Sequence, residues 1–363
     1  MNSVKTVKCL VPFTQFYANT GGECYSCCYD WTILGNAGWL KNNTIMDLWN
    51  GKKMQFIRKA ILENKLEKVC NFKYCPVAKK NEIIKVDWPW GDDHFKAIIE
   101  QIHQGKTILE TAPYIIGTAS SGKCNLRCTM CVSHEDILKP DEKFDELFYT
   151  KYLPEILPKL SRLQLAGNGE VLFNKNSRRF LQNLDASKYP SLKIKLITNA
   201  NLFTPKIWET IKHNNFEEII VSIDAARKDT YEKIRFNGKW EVLLDNLIFI
   251  SELRQQGRFN NYTISYVVLR SNYEEIKEFV QLGIDLSVDR ILFQKVYGTA
   301  SIKENFNLGQ NIEIKKKIGE ILEDPIFRRP EVDTILIDEY RQPLVPSEKI
   351  LDKVLSKLKF NLT

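Results

Sequence analysis

Three cysteines, Cys124, Cys128 and Cys131, lie in the stretch "GKCNLRCTMC". Three thiolates are one short of the four that complete a tetrahedral Zn²⁺ site or an all-cysteine [4Fe–4S] cluster. A metal centre held here would keep one coordination position open. Six further cysteines, Cys9, Cys24, Cys27, Cys28, Cys70 and Cys75, fall in the first 75 residues, and none follows Cys131. That asymmetry points to an N-terminal metal-binding module ahead of a larger domain whose own metal site lies near its start.

The setting of these thiols follows from composition. Nine cysteines is an odd number, and "MNSVKTVKCLVPF" has neither a long apolar segment nor a small-residue cleavage pattern. We expect a reducing, cytoplasmic compartment in which thiols serve metals or chemistry. No run reaches the roughly 18 apolar residues of a membrane span, so no membrane is expected. The chain has 363 residues, 44% of them hydrophobic and 27% charged, and a formal charge of +7. Its Lys and Arg residues are interleaved with Asp and Glu, without a long basic run, which argues against a nucleic-acid partner. A [4Fe–4S]²⁺ core carries about −2 on four thiolates and about −1 on three, so two such centres would leave about +4. Mild basicity of this kind suits an acidic electron donor.

Elements that could position the second cysteine group follow residue 113. "PYIIGTA", "RLQLAG", "LKIKLITN", "EEIIVSID", "NYTISYVVL" and "VDRILFQKV" read as strands. Between them lie helical patterns: "DELFYTKYLPEILPKL", which prolines punctuate, "NSRRFLQNL", "TPKIWETIKHN" with Thr204 as cap, "KDTYEKIR", "WEVLLDNLIFISELRQQ", and "NYEEIKEFVQLG" closed by Gly283. Six alternating units predict an α/β fold, an open partial (β/α)6 barrel with right-handed crossovers. Sites in such sheets gather at the carboxyl ends of strands, and the cysteine loop follows the first strand. "VDWPWGDDHFKAII" reads as the junction, its helix capped by Asp. We expect a metal module over 1–90, the barrel over 91–300, and an extension over 301–363 with a strand in "DTILID" and a helix in "SEKILDKVLSKLKF".

C-x₃-C-x₂-C after a first α/β strand resembles the signature of the radical S-adenosylmethionine (SAM) superfamily. The resemblance implies that Cys124, Cys128 and Cys131 bind three irons of a [4Fe–4S] cluster while the fourth iron chelates SAM. "QLAGNGEVLF" resembles the family's glycine-rich motif: Gly167, Asn168 and Gly169 would bring backbone close to SAM, and Glu170 would accept from its amino group. Val171 stands where the family often has Pro. "LITNANLF" resembles the third-strand motif, with Ala200 in place of glycine; Asn199 either meets the SAM ribose or caps the turn. "IIVSIDAARKDTYEKIRFNGKWEVLLDNL" resembles the fourth strand and helix of the peptide-modifying branch, so Ser222 and Arg235 would hold the ribose or carboxylate. A surface Arg paired with Asp or Glu is the plainer reading. Asp224 faces the same end, Met130 takes a position near adenine that is often aromatic, and Leu292 and Phe293 either back the adenine or pack in the core.

The first 75 residues resemble the SPASM domain, which binds auxiliary iron–sulfur clusters. Cys9, Gly22 and Cys27 fit its C-x₉₋₁₅-G-x₄-C opening, and "LGN", "TIMDLWNG" and a closing cysteine pair follow. The module precedes the barrel here instead of following it, and the closing pair is C-x₄-C. The resemblance implies one auxiliary [4Fe–4S] cluster on Cys9, Cys27, Cys70 and Cys75, with Cys24 or Cys28 able to replace Cys27. A Cys₄ zinc site is the alternative.

Together the resemblances imply reductive cleavage of SAM to a 5′-deoxyadenosyl radical, fed by a flavodoxin- or ferredoxin-type reductant. That radical would abstract hydrogen from a peptide substrate. A sugar or other small metabolite is the alternative substrate, and a non-catalytic iron–sulfur electron carrier is the reading of another class. No protein side chain is singled out as catalytic.

Overall fold

The computed structural model describes residues 6–27, 32–72, 75, 78, 84–85, 91–119, 121–131, 141–166, 168–296, 304–306, 311–334 and 337–341. Cys28, Gly167 and the C-terminal helix pattern "SEKILDKVLSKLKF" lie outside them, as does most of the junction before Gly91.

The strands in chain order are β1 (Thr6–Val7), β2 (Gln15–Asn19), β3 (Glu23–Tyr25), β4 (Gly38–Trp39), β5 (Ile84–Lys85), β6 (Ile115–Ala119), β7 (Arg127–Cys128), β8 (Arg162–Leu165), β9 (Lys193–Thr198), β10 (Phe216–Ser222), β11 (Arg235–Phe236), β12 (Asn261–Val268), β13 (Arg290–Lys295) and β14 (Val332–Asp333). β6, β8, β9, β10, β12 and β13 are the six strands expected from the sequence. They lie side by side, every adjacent pair parallel. β8 and β9 alternate between a buried and a half-exposed face, whereas β12 is buried on both faces over Tyr262–Tyr266. In β9, Ile194 and Leu196 are buried, while Lys193 and Lys195 face the other side, where Lys195 pairs with Glu218 of β10 at 2.7 Å.

Helices bridge the strands with the expected caps. Asp92 accepts from the Phe95 amide to start Asp93–His103, and Thr204 accepts from Ile207 to start Pro205–Ile211. The prolines of "YLPEILPK" do not stop their helix. The Leu153 amide reaches back to the Phe148 carbonyl through a π turn, and helix resumes over Leu153–Ile156. Gly283 does not close its helix as expected. It sits inside Ile276–Asp285 with its Cα against Ile291, and Ser287, at φ +52°, is the left-handed residue that ends it. No helix among the described residues is long and apolar enough to cross a membrane.

The sheet does not stop at six strands. β14 extends it beside β13 but includes only Asp333 of the expected "DTILID" strand, whose last residue, Asp338, starts a 3-10 turn instead. On the other edge β2 lies parallel to β6, followed by the antiparallel strands β3 and β4. The N-terminal module and the barrel thus share one sheet. Gly117 of β6 faces Tyr17 of β2, and a Cβ there would run into the Tyr17 ring. The module is also stapled to the segment that enters β6. Trp49 Nε1 donates to the Thr111 carbonyl at 3.0 Å, and Asn50 exchanges hydrogen bonds with Leu109 at 2.8 and 2.9 Å. Arg58, fully buried, stacks on Trp49 at 4.1 Å and donates to the Pro12 and Thr107 carbonyls. Burial without a carboxylate partner pulls its pKa down to about 9.

Gly117→Ala should cost about 1–3 kcal/mol through overpacking, read as a lower urea midpoint. Measured in a Tyr17→Ala background, most of that cost should vanish, because the clash is with that ring.

Candidate cofactor site at the carboxyl ends of the strands

The cysteine loop leaves β6 and is held by the loop after β8. The Gly122 amide donates to the Asn168 carbonyl at 3.1 Å, and the Glu170 amide donates to the Lys123 carbonyl at 2.8 Å. Gly169 sits between these bonds at φ +95°, where a Cβ would strike the Lys123 backbone. Only glycine permits both that dihedral and that approach. The glycine-rich segment therefore locks one loop against the other.

A second tether comes from the far side. β7 and β11 pair antiparallel with Arg235 opposite Cys128, and the Thr129 amide donates to the Ile234 carbonyl at 2.9 Å. Arg235 is 6% exposed and Asp224 is fully buried; Arg235 Nε and Nη2 donate to Asp224 Oδ2 at 3.0 and 2.5 Å. Burial opposes the Arg235 charge, but Asp224 and Cys128 outweigh it and hold its pKa above the ordinary value. Asp224 is at φ +62°, and its Oδ1 accepts from the Val267 amide at 2.7 Å. One carboxylate thus joins the ends of β10 and β12 to the strand beside Cys128.

Glu170 is buried, which raises its pKa against the pull of its hydrogen bonds. Its Oε1 accepts from Thr198 Oγ1 at 2.6 Å and from the Leu172 amide at 3.2 Å, and its Oε2 accepts from the Asn199 amide at 2.7 Å. Asn199 Nδ2 donates to Asn125 Oδ1 at 2.9 Å and lies 3.7 Å from Cys124 Sγ. Burial pushes the Cys124 thiol up to about 12 and the Cys128 thiol up to about 11. Buried thiols become thiolates readily only beside a cation or a metal.

A cavity of about 300 Å³ brings the expected residues together. Cys124, Cys128, Cys131, Gly169, Glu170, Asn199, Ser222, Asp224, Arg235 and Met130 all line it. Ser222 receives a hydrogen bond from Ser265 Oγ at 3.4 Å. Asn168 does not line the cavity; its carbonyl serves the loop lock. Phe293 is a core residue among Tyr266, Phe279 and Phe327, and neither it nor Leu292 reaches the cavity. Val267 of the neighbouring strand does, and it packs with Met130 on Ile234, Leu269 and Val296. Sequence reading missed Asn125, Thr198, Asn237 and Val267 on this wall. Asn237 had a signal: it precedes Gly238 in a turn dipeptide and takes φ +72°.

The N-terminal thiols divide. Cys27, Cys70 and Cys75 all lie near enough to Cys9 to raise its pKa, which burial chiefly pushes up to about 12. The Val11 amide donates to Cys9, and the Ala78 amide to Cys75 Sγ at 3.4 Å. Cys24 stands apart: it is fully buried in the core on β3, and its charged neighbour is Glu23. Among the described residues, no three His, Cys, Asp or Glu side chains are set to hold a single ion. Cys9 enters β2 through the helix Val11–Thr14, and Cys27 follows the antiparallel β3, so both stand at the amino end of β2. The Cys124 loop follows the carboxyl end of β6, which runs parallel to β2. A five-residue strand at about 3.3 Å per residue puts roughly 16 Å between the two ends.

Two family profiles match the chain: the radical SAM superfamily over residues 119–283, and SPASM, an iron–sulfur cluster-binding domain, over residues 9–76. Mycofactocin maturase MftC of Mycolicibacterium smegmatis is 24% identical over 202 residues, 53% of this chain and 47% of that protein. GTP 3′,8-cyclase of Alkaliphilus oremlandii is 27% identical over 172 residues, 46% of this chain and 51% of that protein. The chain thus spans about half the length of the curated relatives it matches. Among solved structures, Streptococcus suis SuiB bound to S-adenosylmethionine aligns with a TM-score of 0.47 at 16% identity, covering 77% of this chain and 60% of that one. The two matched domains imply a SAM-binding [4Fe–4S] cluster, an auxiliary iron–sulfur cluster and SAM as cofactors.

Asp224→Ala would leave Arg235 buried without its partner. The expected loss is about 3–5 kcal/mol, seen as a lower denaturant midpoint, and adding Arg235→Met should return a large part of it.

Proposed function

We propose that this chain, a radical SAM protein with a SPASM module ahead of its barrel, reductively cleaves SAM and abstracts hydrogen from a peptide substrate, in a cross-link, epimerisation or oxidation. The observation that carries the reading is one cavity holding Cys124, Cys128 and Cys131 beside Glu170 and Arg235, with no fourth cysteine and no histidine among its described lining residues. The three thiolates would hold three irons and leave the fourth for SAM. Held there, such a cluster would supply the electron for reductive cleavage of SAM to methionine and a 5′-deoxyadenosyl radical.

The chain's own residues bind, orient and exclude water. Glu170 Oε2 carries one hydrogen bond from Asn199 and keeps a lone pair for an ammonium. Arg235 spends Nε and Nη2 on Asp224 and keeps Nη1 for a carboxylate. Ser222 offers a hydroxyl to the ribose. Met130 and Val267 make an apolar seat for adenine. Asn199 braces the Cys124 loop and can turn its amide to the ribose as well.

Cys9, Cys27, Cys70 and Cys75 would fully ligate an auxiliary [4Fe–4S] cluster. Four protein ligands and a place at the far end of the sheet support electron transfer over substrate ligation. A flavodoxin- or ferredoxin-type protein is the proposed reductant, and a reducing cytoplasm the proposed location. The SPASM module and the likeness to a maturase support a peptide substrate. The likeness to GTP 3′,8-cyclase supports a second reading, in which a small metabolite takes its place.

Anaerobically purified protein should hold about eight irons, and the Cys124/Cys128/Cys131→Ala triple variant about four. Eight in the variant would overturn the ligand assignment. Dithionite and SAM should yield 5′-deoxyadenosine by chromatography, and none from a fully iron-loaded sample would refute the reaction. Deuterated candidate peptides and sugars, followed by label in 5′-deoxyadenosine, separate the two substrate readings.

A further inference from the structure

Ser26 lies between Cys24 and Cys27 where the chain leaves β3. It is 3% exposed, and its hydroxyl has no hydrogen-bond partner among the described residues. A buried hydroxyl left unpaired costs about 1–3 kcal/mol, so a native structure normally supplies an acceptor. Among the described residues, the other buried side-chain atoms without partners belong to Arg58, His103, Asn214 and Ser271, none of which adjoins a cysteine in the sequence. Ser26 adjoins Cys27, which stands with Cys9 at the amino end of β2, and Cys70 and Cys75 lie near enough to act on Cys9. Cluster sulfurs and cysteine thiolates are acceptors that carry negative charge.

We propose that the Ser26 hydroxyl donates a hydrogen bond to sulfur at the Cys27 corner of the auxiliary cluster and raises the cluster's reduction potential. Ser26 is then a positioning residue for electron transfer. The inference rests on the four-cysteine reading above. Its physical basis is that an added electron makes the sulfurs stronger acceptors, so a donor stabilises the reduced state more than the oxidised one. Hydrogen bonds to sulfur are among the factors that set such potentials.

The test uses the Cys124/Cys128/Cys131→Ala variant, in which the auxiliary cluster is the one that reports. Its midpoint is read by redox titration with electron paramagnetic resonance. Ser26→Ala should move the midpoint to a more negative potential, and Ser26→Thr, which keeps the hydroxyl, should restore it. In deuterium oxide, the reduced cluster should couple to an exchangeable deuteron that Ser26→Ala removes. An unchanged midpoint and coupling in Ser26→Ala would overturn the proposal while leaving the ligand assignment standing. Loss of iron from Ser26→Ala but not from Ser26→Thr supports it, and loss from both overturns it. A background variant that holds no iron at all would refute the four-cysteine reading and this inference with it.

Discussion

A carboxylate and a guanidinium buried together, Asp224 and Arg235, hold the site in shape. Desolvating both charges is expensive, and a buried pair contributes little net stability when its geometry is poor. Here the geometry is spread over the fold. Asp224 takes two donors from Arg235 and a third from the Val267 backbone. Arg235 in turn lies opposite Cys128 in a short antiparallel pair. Moving either charge would move a cysteine of the metal-binding loop. The pair therefore sets position more than it adds stability, and it leaves part of the guanidinium for a ligand.

The other side of the loop is held without charges. Gly169 lets the segment after β8 rest on the Lys123 backbone, and Glu170 then reaches Thr198 and Asn199 at the end of β9. Motif residues that a sequence comparison assigns to ligand contact thus already carry structural bonds. Glu170 and Asn199 brace the ends of β8 and β9 against the cysteine loop, and what remains of their hydrogen-bonding capacity faces the cavity. Rigid supporting contacts of this kind are what a site needs when reacting atoms must be held to within a fraction of an ångström.

The N-terminal module is part of the same mechanical unit. β2 extends the barrel sheet, and Tyr17 fills the space that Gly117 leaves. Trp49, Asn50 and Arg58 reach from the module to the chain entering β6. The "LWNG" pattern thus has a physical role as a clamp on the strand that delivers the cysteine loop. Because β2 and β6 are parallel, the same pairing puts the two thiol groups at opposite ends of the sheet.

Local physics made much of this legible in advance. Short apolar, β-branched runs separated by helical patterns marked all six barrel strands, because a strand of a parallel sheet buries most of its length. Asp92 and Thr204 announced helix starts because a cap needs only its own next three residues. Cysteine spacing announced metal chemistry because thiolates close in sequence cannot be far apart in space. Gly283 misled for the converse reason: a glycine can end a helix or admit a neighbour, and only the packed Ile291 shows which. The residues that join distant segments stayed hidden. Nothing local says that β2 would pair with a strand nearly a hundred residues later, that Asp224 would occupy two donors of Arg235, or that Cys24 would enter the core while Cys27 turned toward Cys9. Those outcomes belong to the tertiary structure, because each depends on which surfaces meet when the whole sheet assembles, and short-range sequence carries no record of that meeting.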